Sequence, residues 1–306
     1  MKKSEEQNVE QGAEQLIKEA EAQEKKSLGK AKQFANENRP LLTDIGYKNI
    51  NLGCLPSQGK YYPPETQIAI RAASVGEIRH WSTIDESDLF GLDDILNYVI
   101  ERCCKIKMPG LSSSWRDIKE IDRFFIIFAI REFTFKDGEN KLFVPTETED
   151  KIEVTKDMIK YFNLDEKLER YYDHQTNKLV LTLKTGESVD CYLPSIGVTQ
   201  FIKNYVRNKQ EQQKKFDIAF LKFAPFIFDD WRTLNKSVYD KTVQDSSAWS
   251  LKKLSVLAKV TDLLADGVNP KITYTTSGGV EAEAPLNFQG GLKSLFLISN
   301  IFDELV

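Results

Sequence analysis

The chain has 306 residues, 41% of them hydrophobic and 29% charged, which is enough to build the core of one large domain or two smaller ones. Its formal net charge of −4 argues against nucleic acid as a partner, since nucleic-acid binders carry a concentrated basic surface. No apolar run approaches the roughly 20 residues of a bilayer-spanning helix, and the lysines of residues 1–4 are not followed by the apolar stretch of a secretory signal. We therefore expect a cytoplasmic protein with no membrane partner.

The first 46 residues differ in composition from the rest of the chain. Residues 1–38 hold 7 Lys and 8 Glu among many Gln and Ala, with few large apolar side chains. Such a segment cannot form a core, so residues 1–46 are expected to be a charged arm that is disordered or is ordered by a partner. We expect a hairpin with helices over residues 47–135, and hairpins with helices over residues 136–306. The two parts can also form one continuous domain.

The first structured segment is rich in turn residues and then alternates around Ile68 and Ile70, which predicts a β-hairpin over residues 53–74. Ser74 and Glu77 form the Ser-x-x-Glu pattern of a capping box at the start of the next helix. Helices are predicted at residues 75–82, at residues 92–103 and after Ser114, with residues 124–130 at the centre of the core.

The helix at residues 92–103 shows one apolar face. Its apolar residues recur at helical spacing from Leu92 to Cys103, whereas Asp93, Asp94, Asn97 and Glu101 fall on the opposite face. Of these, we expect Asp93 and Asp94 to be solvated.

The rest of the chain is predicted to form hairpins and helices. Short strands are predicted near residues 142–144 and 151–154, and further hairpins at residues 178–193 and 271–288. Helices are predicted at residues 198–213, 216–223, 231–240 and 249–265, with Gly267 as the stop signal of the last. The fold class is therefore expected to be α+β, with three β-hairpins decorated by helices and a mainly helical second half.

A short motif repeats where a strand gives way to a helix. Residues 74–76 read Ser-Val-Gly and residues 195–197 read Ser-Ile-Gly. The serine is expected to cap free N–H groups, and the glycine to leave room where helix and strand approach closely. Residues 287–291 are expected at the corresponding third junction.

The residue types of catalytic sites are sparse. His80 and His174 are expected to be structural or solvated, and the acidic pairs at residues 93–94 and 229–230 to be solvated beside helices. The sequence has no nucleophile elbow, phosphate loop, dinucleotide fingerprint or closely spaced zinc ligands. We therefore expect no enzyme activity, no cofactor, no metal and no small-molecule ligand. The cysteines are expected as reduced, buried thiols: Cys54, Cys103, Cys104 and Cys191.

One aromatic loop is a candidate partner interface. Tyr61, Tyr62, Pro63 and Pro64 follow one another, and aromatic side chains are enriched at protein interfaces. The alternative is that these side chains pack across their own hairpin. A second aromatic run, residues 223–231, is expected to pack at a corner between helices.

Three segments, taken in chain order, resemble the T4-type contractile-phage baseplate hub assembly proteins. Residues 55–62 read Leu-Pro-Ser-Gln-Gly-Lys-Tyr-Tyr and match the early Leu-Pro-Ser-x-Gly-x-x-Tyr loop of that family. Residues 193–197 read Leu-Pro-Ser-Ile-Gly, and residues 285–288 read Pro-Leu-Asn-Phe before a Gly-Gly pair. The resemblance spans residues 50–300 and depends on the order of the motifs. The chain lacks the metal-binding cysteine pairs of many relatives, so no zinc site is carried over.

The resemblance implies a non-enzymatic baseplate hub assembly factor or hub subunit that acts by protein–protein binding. Its partners would be other phage tail and baseplate proteins, met in the cytoplasm of the infected host or in the virion. It leaves open whether the chain stays in the particle or acts as an assembly chaperone. Alternatives are another phage assembly chaperone, a head- or portal-associated factor, or an enzyme without a recognisable motif.

Overall fold

The computed structural model describes residues 46–83, 85–110, 112–135, 141–145, 151–276, 278–286, 288 and 291–296. The described residues belong to one compact unit of the chain. The charged arm expected over residues 1–46 lies outside the described residues, except for Gly46. Most of the third junction, residues 287–291, also lies outside them.

The first sheet is antiparallel and joins strands that are distant in sequence. Strands β1 (Lys48–Ile50), β2 (Gln67–Ile70) and β3 (Cys104–Lys107) lie side by side in that order. The hairpin predicted over residues 53–74 is wrong, because residues 53–66 form a loop and β2 pairs with β1 and β3. Positive φ angles at Gln58, Gly59 and Glu65 keep this loop from extending as a strand.

Two helices follow β2 and confirm the sequence signals that predicted them. Helix α1 is Val75–Trp81, and Ser74 caps it through the predicted capping box with Glu77. Helix α2 is Leu89–Cys103. The polar face of α2 is only partly open to solvent: Glu101 is exposed, whereas Asp93, expected to be solvated, and Asn97 are buried with a polar partner inside the protein.

The segment before the next helix does not form the continuous helix predicted after Ser114. Ser114 caps a single 3-10 turn, Trp115–Asp117, and a second 3-10 turn follows at Glu120–Asp122. Ile118 and Lys119 between the two turns are extended, which breaks the helical hydrogen bonding. Helix α3 then covers Arg123–Thr134 and is buried over residues 125–131, which confirms the predicted central helix.

The predicted hairpins of the second half are present. Their strands pair antiparallel as β4 with β5, β6 with β7 and β8, and β9 with β10. The strands are β4 (Phe143–Pro145), β5 (Lys151–Glu153), β6 (Tyr172–Asp173), β7 (Lys178–Thr182), β8 (Ser188–Cys191), β9 (Lys271–Thr275) and β10 (Glu281–Pro285).

The helices of the second half are α4 (Glu166–Glu169), α5 (Ile196–Glu211), α6 (Ile218–Ile227), α7 (Lys236–Ser246) and α8 (Leu251–Val268). Helix α7 begins five residues later than predicted, after an Asn235 cap. Gly267 does not stop α8 but lies inside it, where an added Cβ would come within 2.6 Å of Phe162 Cδ2. This glycine is therefore needed for close packing.

The core consists of two apolar clusters, and the class is α+β as predicted. The first cluster surrounds α3 and includes side chains of the first sheet, α1, α2, β9 and β10. The second joins β7 and β8 to α5, α6, α7 and α8. It contains Phe223, Phe226 and Phe228, which confirms core packing of the aromatic run at residues 223–231.

Of the cysteines, Cys54 is exposed, contrary to expectation, and the other three are buried. None of the helices in the described part of the chain has the length and apolarity that crossing a membrane requires.

The two copies of the Ser-x-Gly motif share the role of the serine but differ in the role of the glycine. Ser74 and Ser195 both cap helices, as predicted. An added Cβ at Gly197 would lie 2.7 Å from Trp231 Cδ1 and 2.8 Å from Trp231 Cβ, whereas at Gly76 the nearest atom is Ser74 Oγ at 3.9 Å. The close approach that the motif predicted is therefore present at Gly197 only.

This difference gives a matched pair of substitutions. We expect Gly197→Ala to lower the free energy of unfolding by about 1–3 kcal/mol, because the methyl group overpacks the site against Trp231. Gly76→Ala should raise it by up to about 1 kcal/mol, because alanine favours the helix and meets no obstacle. Urea unfolding of both variants measures the difference, and equal effects would contradict the packing role of Gly197.

Candidate functional site

The predicted interface loop is folded into the protein. Tyr61 and Tyr62 are buried, with Tyr62 only 4% exposed, so the expectation that their rings meet a partner is corrected. Tyr61 packs edge-on against Phe162 and Tyr172, outside its own loop. Of the predicted site residues, Pro63 is half-buried and Pro64 exposed, and a partner contact there stays a prediction.

Tyr62 is held by a carboxylate in the core. Its hydroxyl donates to Asp122 Oδ2 at 2.7 Å and accepts from the backbone N–H of Lys119 at 3.0 Å. The backbone N–H of Ser57 donates to the other carboxylate oxygen at 2.8 Å. Asp122 thereby fixes the turn-rich loop at two points, Ser57 and Tyr62. Sequence reasoning missed Asp122. The available signal was a series of charged residues interrupting an otherwise apolar helical pattern.

Burial controls the ionisation of this group. Burial raises the pKa of Asp122 to about 6, although the Ser57 N–H and the Tyr62 hydroxyl favour its charged form. Burial also raises the pKa of Tyr62 well above its usual value, with the Asp122 charge adding to the effect. Tyr62 therefore remains a protonated donor to the carboxylate over the whole physiological range.

The second Leu-Pro-Ser segment docks on the same stretch of chain, residues 114–123, which we call the junction segment. Glu120 N donates to Pro194 O at 2.9 Å, and Ile196 N donates to Ile118 O at 2.8 Å. Lys119 Nζ donates to Leu193 O at 3.2 Å, and burial lowers its pKa despite nearby acidic groups. Two motifs that lie far apart in sequence are therefore joined by a single segment.

Asp117 ties the junction segment to the residues after α6. Its carboxylate accepts from Trp231 Nε1 at 2.8 Å, from Arg232 at 2.6 Å and from the backbone N–H of Ser114 at 2.8 Å. Trp231 is the same ring that covers Gly197. The start of α5 is thus enclosed by side chains that Asp117 holds in place.

The end of the junction segment pairs with α2 and α5. Arg123 Nη1 lies 2.7 Å from Asp93 Oδ1 and 2.9 Å from Glu120 Oε1. Lys203 also pairs with Asp93, and the Thr199 hydroxyl donates to Glu120. Burial works against the charge of Arg123, but Glu120 and Asp93 outweigh it and raise its pKa. These charges pair with one another, which offsets the cost of burying them, while Arg123 Nε is left without a hydrogen-bond partner among the described residues.

The third motif also packs inward. Leu286 is buried in the first apolar cluster, and the Phe288 ring lies 5.8 Å from that of Phe128. The segments that carry the family resemblance are therefore parts of the architecture.

The polar groups of the junction serve as mutual hydrogen-bond partners. In the described parts of the chain, no group of three or more His, Cys, Asp or Glu side chains is placed to hold a metal ion. Of the acidic pairs, Asp93 and Asp94 bind Lys203 and Arg207, and Asp230 binds Arg232. His80 packs on Tyr98 and His174 on Tyr172. These contacts fix the relative positions of the elements that they join.

A surface groove borders the first Leu-Pro-Ser loop. It has a volume of about 450 Å³ and contains two large exposed apolar side chains, Tyr161 at 50% and Leu263 at 43% exposure. Pro56 lines it from the loop, and Pro270 from the start of β9. We call it the 161–263 groove. Exposed apolar side chains gathered in a concave surface are typical of protein-binding sites.

Comparison of the chain with protein-family models, with curated proteins and with solved structures found no match.

The neighbouring tyrosines of the loop give a test of the Asp122 site. Tyr62→Phe removes a hydroxyl that both donates and accepts in the core, so the free energy of unfolding should fall by about 1–3 kcal/mol. Tyr61→Phe is the control, since the Tyr61 hydroxyl makes no hydrogen bond to another described residue, and it should change stability by less than about 0.5 kcal/mol. Chemical unfolding of both variants measures this, and a neutral Tyr62→Phe would contradict the assigned role.

The raised pKa of Asp122 predicts a pH dependence. The folded protein holds the proton up to about pH 6, whereas the unfolded carboxyl releases it near the usual aspartate pKa of 3.8. Folding therefore binds a proton between these values, and the contribution of Asp122 to stability falls as the pH rises from 4 through 6. The stability of the wild type relative to Asp122→Asn should decline over that range by on the order of 3 kcal/mol. Urea unfolding at stepped pH measures it, and a difference that does not vary with pH would contradict the raised pKa.

Proposed function

We propose that this chain is a non-enzymatic assembly factor or subunit of the baseplate hub of a contractile-tailed phage, acting by binding other tail and baseplate proteins. The observation that carries the proposal is the ordered set of family-like motifs at residues 55–62, 193–197 and 285–288. The first two dock on one junction segment, so a single framework accounts for both.

The role of the buried charges supports a binding protein over a catalyst. Asp93, Asp117 and Asp122 each accept hydrogen bonds from side chains or backbone of other elements. Their arrangement makes the framework rigid, and a rigid framework lowers the entropy lost when a partner binds.

The proposed contact surface is the 161–263 groove. It replaces the Tyr61–Tyr62 rings as the place where aromatic and aliphatic side chains are open to a partner. Tyrosine is among the residues that dominate binding energy when they are buried at an interface. The proposed partners are other phage tail proteins, met in the cytoplasm of the infected host.

The test is recovery of partners by tagged full-length chain from phage-infected cells, followed by mass spectrometry. We expect tail and baseplate proteins to come with the wild type. Tyr161→Ala with Leu263→Ala should reduce their recovery at least tenfold, because truncating interface anchors costs about 2 kcal/mol or more. Detection of the chain in purified virions separates a hub subunit from an assembly chaperone.

A second double variant controls for exposed apolar surface in general. Tyr171→Ala with Leu251→Ala truncates side chains that are 39% and 87% exposed and do not line the groove, and Leu251 lies on the same helix as Leu263. It should recover partners like the wild type. Recovery of the chain alone, or only with metabolic enzymes, would contradict the baseplate proposal. Equal losses in both double variants would contradict the groove.

A further inference from the structure

A second groove lies between α5 and α7, away from every motif discussed above. It has a volume of about 410 Å³ and is lined by Phe201, Asn204, Tyr205, Asn208, Lys209 and Gln212 along α5, and by Lys236 at the start of α7. We call it the α5–α7 groove. Among the described residues that line it, two are lysines and none is acidic.

The wall of this groove carries a series of side-chain amides. Gln200, Asn204, Asn208 and Gln212 follow one another at intervals of four residues, and the last three line the groove. Side chains four residues apart lie on one face of a helix. The structure gives the amides of Asn204 and Asn208 no hydrogen bond to another described residue, so both are open to a ligand.

The spacing of this amide series matches an extended peptide. Four residues of helix rise about 6 Å, and two residues of strand rise about 6.7 Å. An extended chain points an N–H and a C=O to the same edge once in every two residues. A free side-chain amide, as at Asn204 and Asn208, offers one acceptor and two donors, which is the complement of that edge. At Gln212 the amide oxygen already accepts from Lys214 Nζ at 2.8 Å, so its two N–H donors are the part that can pair. Successive amides can therefore meet successive backbone edges.

The floor of the groove is aromatic and held in place. Phe201 stacks with Tyr205 at 6.5 Å, and Tyr205 packs on the buried Tyr239 at 4.3 Å. The Tyr205 hydroxyl donates to Asp240, which fixes the ring. Because side chains of a strand alternate in direction, an extended peptide would place one row of side chains on this floor and the other row away from it.

We infer that the α5–α7 groove binds an extended, acidic peptide segment of a partner protein through the amide series of α5. The amides pair with the peptide backbone, the aromatic floor takes apolar side chains, and Lys209 and Lys236 favour carboxylates. This inference does not rest on the baseplate proposal, since it concerns a different surface and is tested with synthetic peptides.

The test uses a fluorescein-labelled octapeptide of alternating Glu and Val, with binding to the full-length chain measured by fluorescence anisotropy. We expect saturable binding that weakens at least tenfold in Asn204→Ala with Asn208→Ala, because the variant removes two amides that pair with the peptide backbone. Gln210→Ala with Gln244→Ala is the matched control: it removes two exposed amides from the same helices, outside the groove, and should bind like the wild type.

Two further comparisons test the backbone pairing and the charge preference separately. N-methylation of the Val nitrogens blocks one edge of the extended peptide and N-methylation of the Glu nitrogens blocks the other, so one isomer should bind and the other should not. Lys209→Glu with Lys236→Glu should weaken binding of the acidic peptide and strengthen binding of a Lys-Val analogue.

Some outcomes would overturn the inference. The first is the lack of saturable binding up to about 1 mM peptide, a concentration that corresponds to a binding free energy of only about −4 kcal/mol. The second is binding by Asn204→Ala with Asn208→Ala that equals that of the wild type. The third is equal binding of the two N-methyl isomers by the wild type. A dimer of the full-length chain that sedimentation detects in the wild type, but not in that variant, would assign the groove to a second copy and would also overturn it.

Discussion

The buried carboxylate of Asp122 is the interaction on which the rest of the structure depends most, because it accepts hydrogen bonds from two points, Ser57 and Tyr62, of the loop between β1 and β2. Taking a carboxylate out of water is costly, and donors fixed in direction offset that cost only if the surrounding backbone is rigid. Ser57 supplies a backbone N–H, and Tyr62 a hydroxyl that is itself fixed by Lys119. The loop and the junction segment therefore define one another.

The junction segment explains how two apolar clusters form one framework. Its Ile118 belongs to the first cluster and its Ile121 to the second, while its charged residues reach outward to α2, α5 and the chain after α6. Apolar contacts alone tolerate sliding, whereas directional hydrogen bonds fix one relative position of the parts. The polar interior thus specifies the arrangement of two cores that burial alone would leave less defined.

Local sequence signals predicted local structure, whereas contacts between residues distant in sequence were not predicted. The capping box of Ser74 and Glu77, and the β7–β8 hairpin, were correct because hydrogen bonds between near neighbours fix them. Asp93 was assigned to solvent because its partner Arg123 lies 30 residues away. Gly267 was taken as a helix stop because Phe162, which requires it to be small, is remote in sequence. Tyr62 looked like an interface residue for the same reason: nothing near it in sequence points to Asp122.

The same reasoning bears on where binding can occur. The family-like motifs are largely buried, and of the first motif only Pro56 lines the 161–263 groove. The 161–263 groove combines Pro56 with residues more than 100 positions away, and no local pattern could reveal it. The four-residue spacing of the α5 amides can be recognised in the sequence, but this pattern alone predicts only an ordinary solvent-exposed helix face. Only Lys236 of α7, placed opposite them, turns that face into one wall of a groove. In this protein both candidate grooves form between elements that are remote in sequence. The buried charges of the junction segment contribute to fixing how α2, α5 and the chain after α6 are arranged.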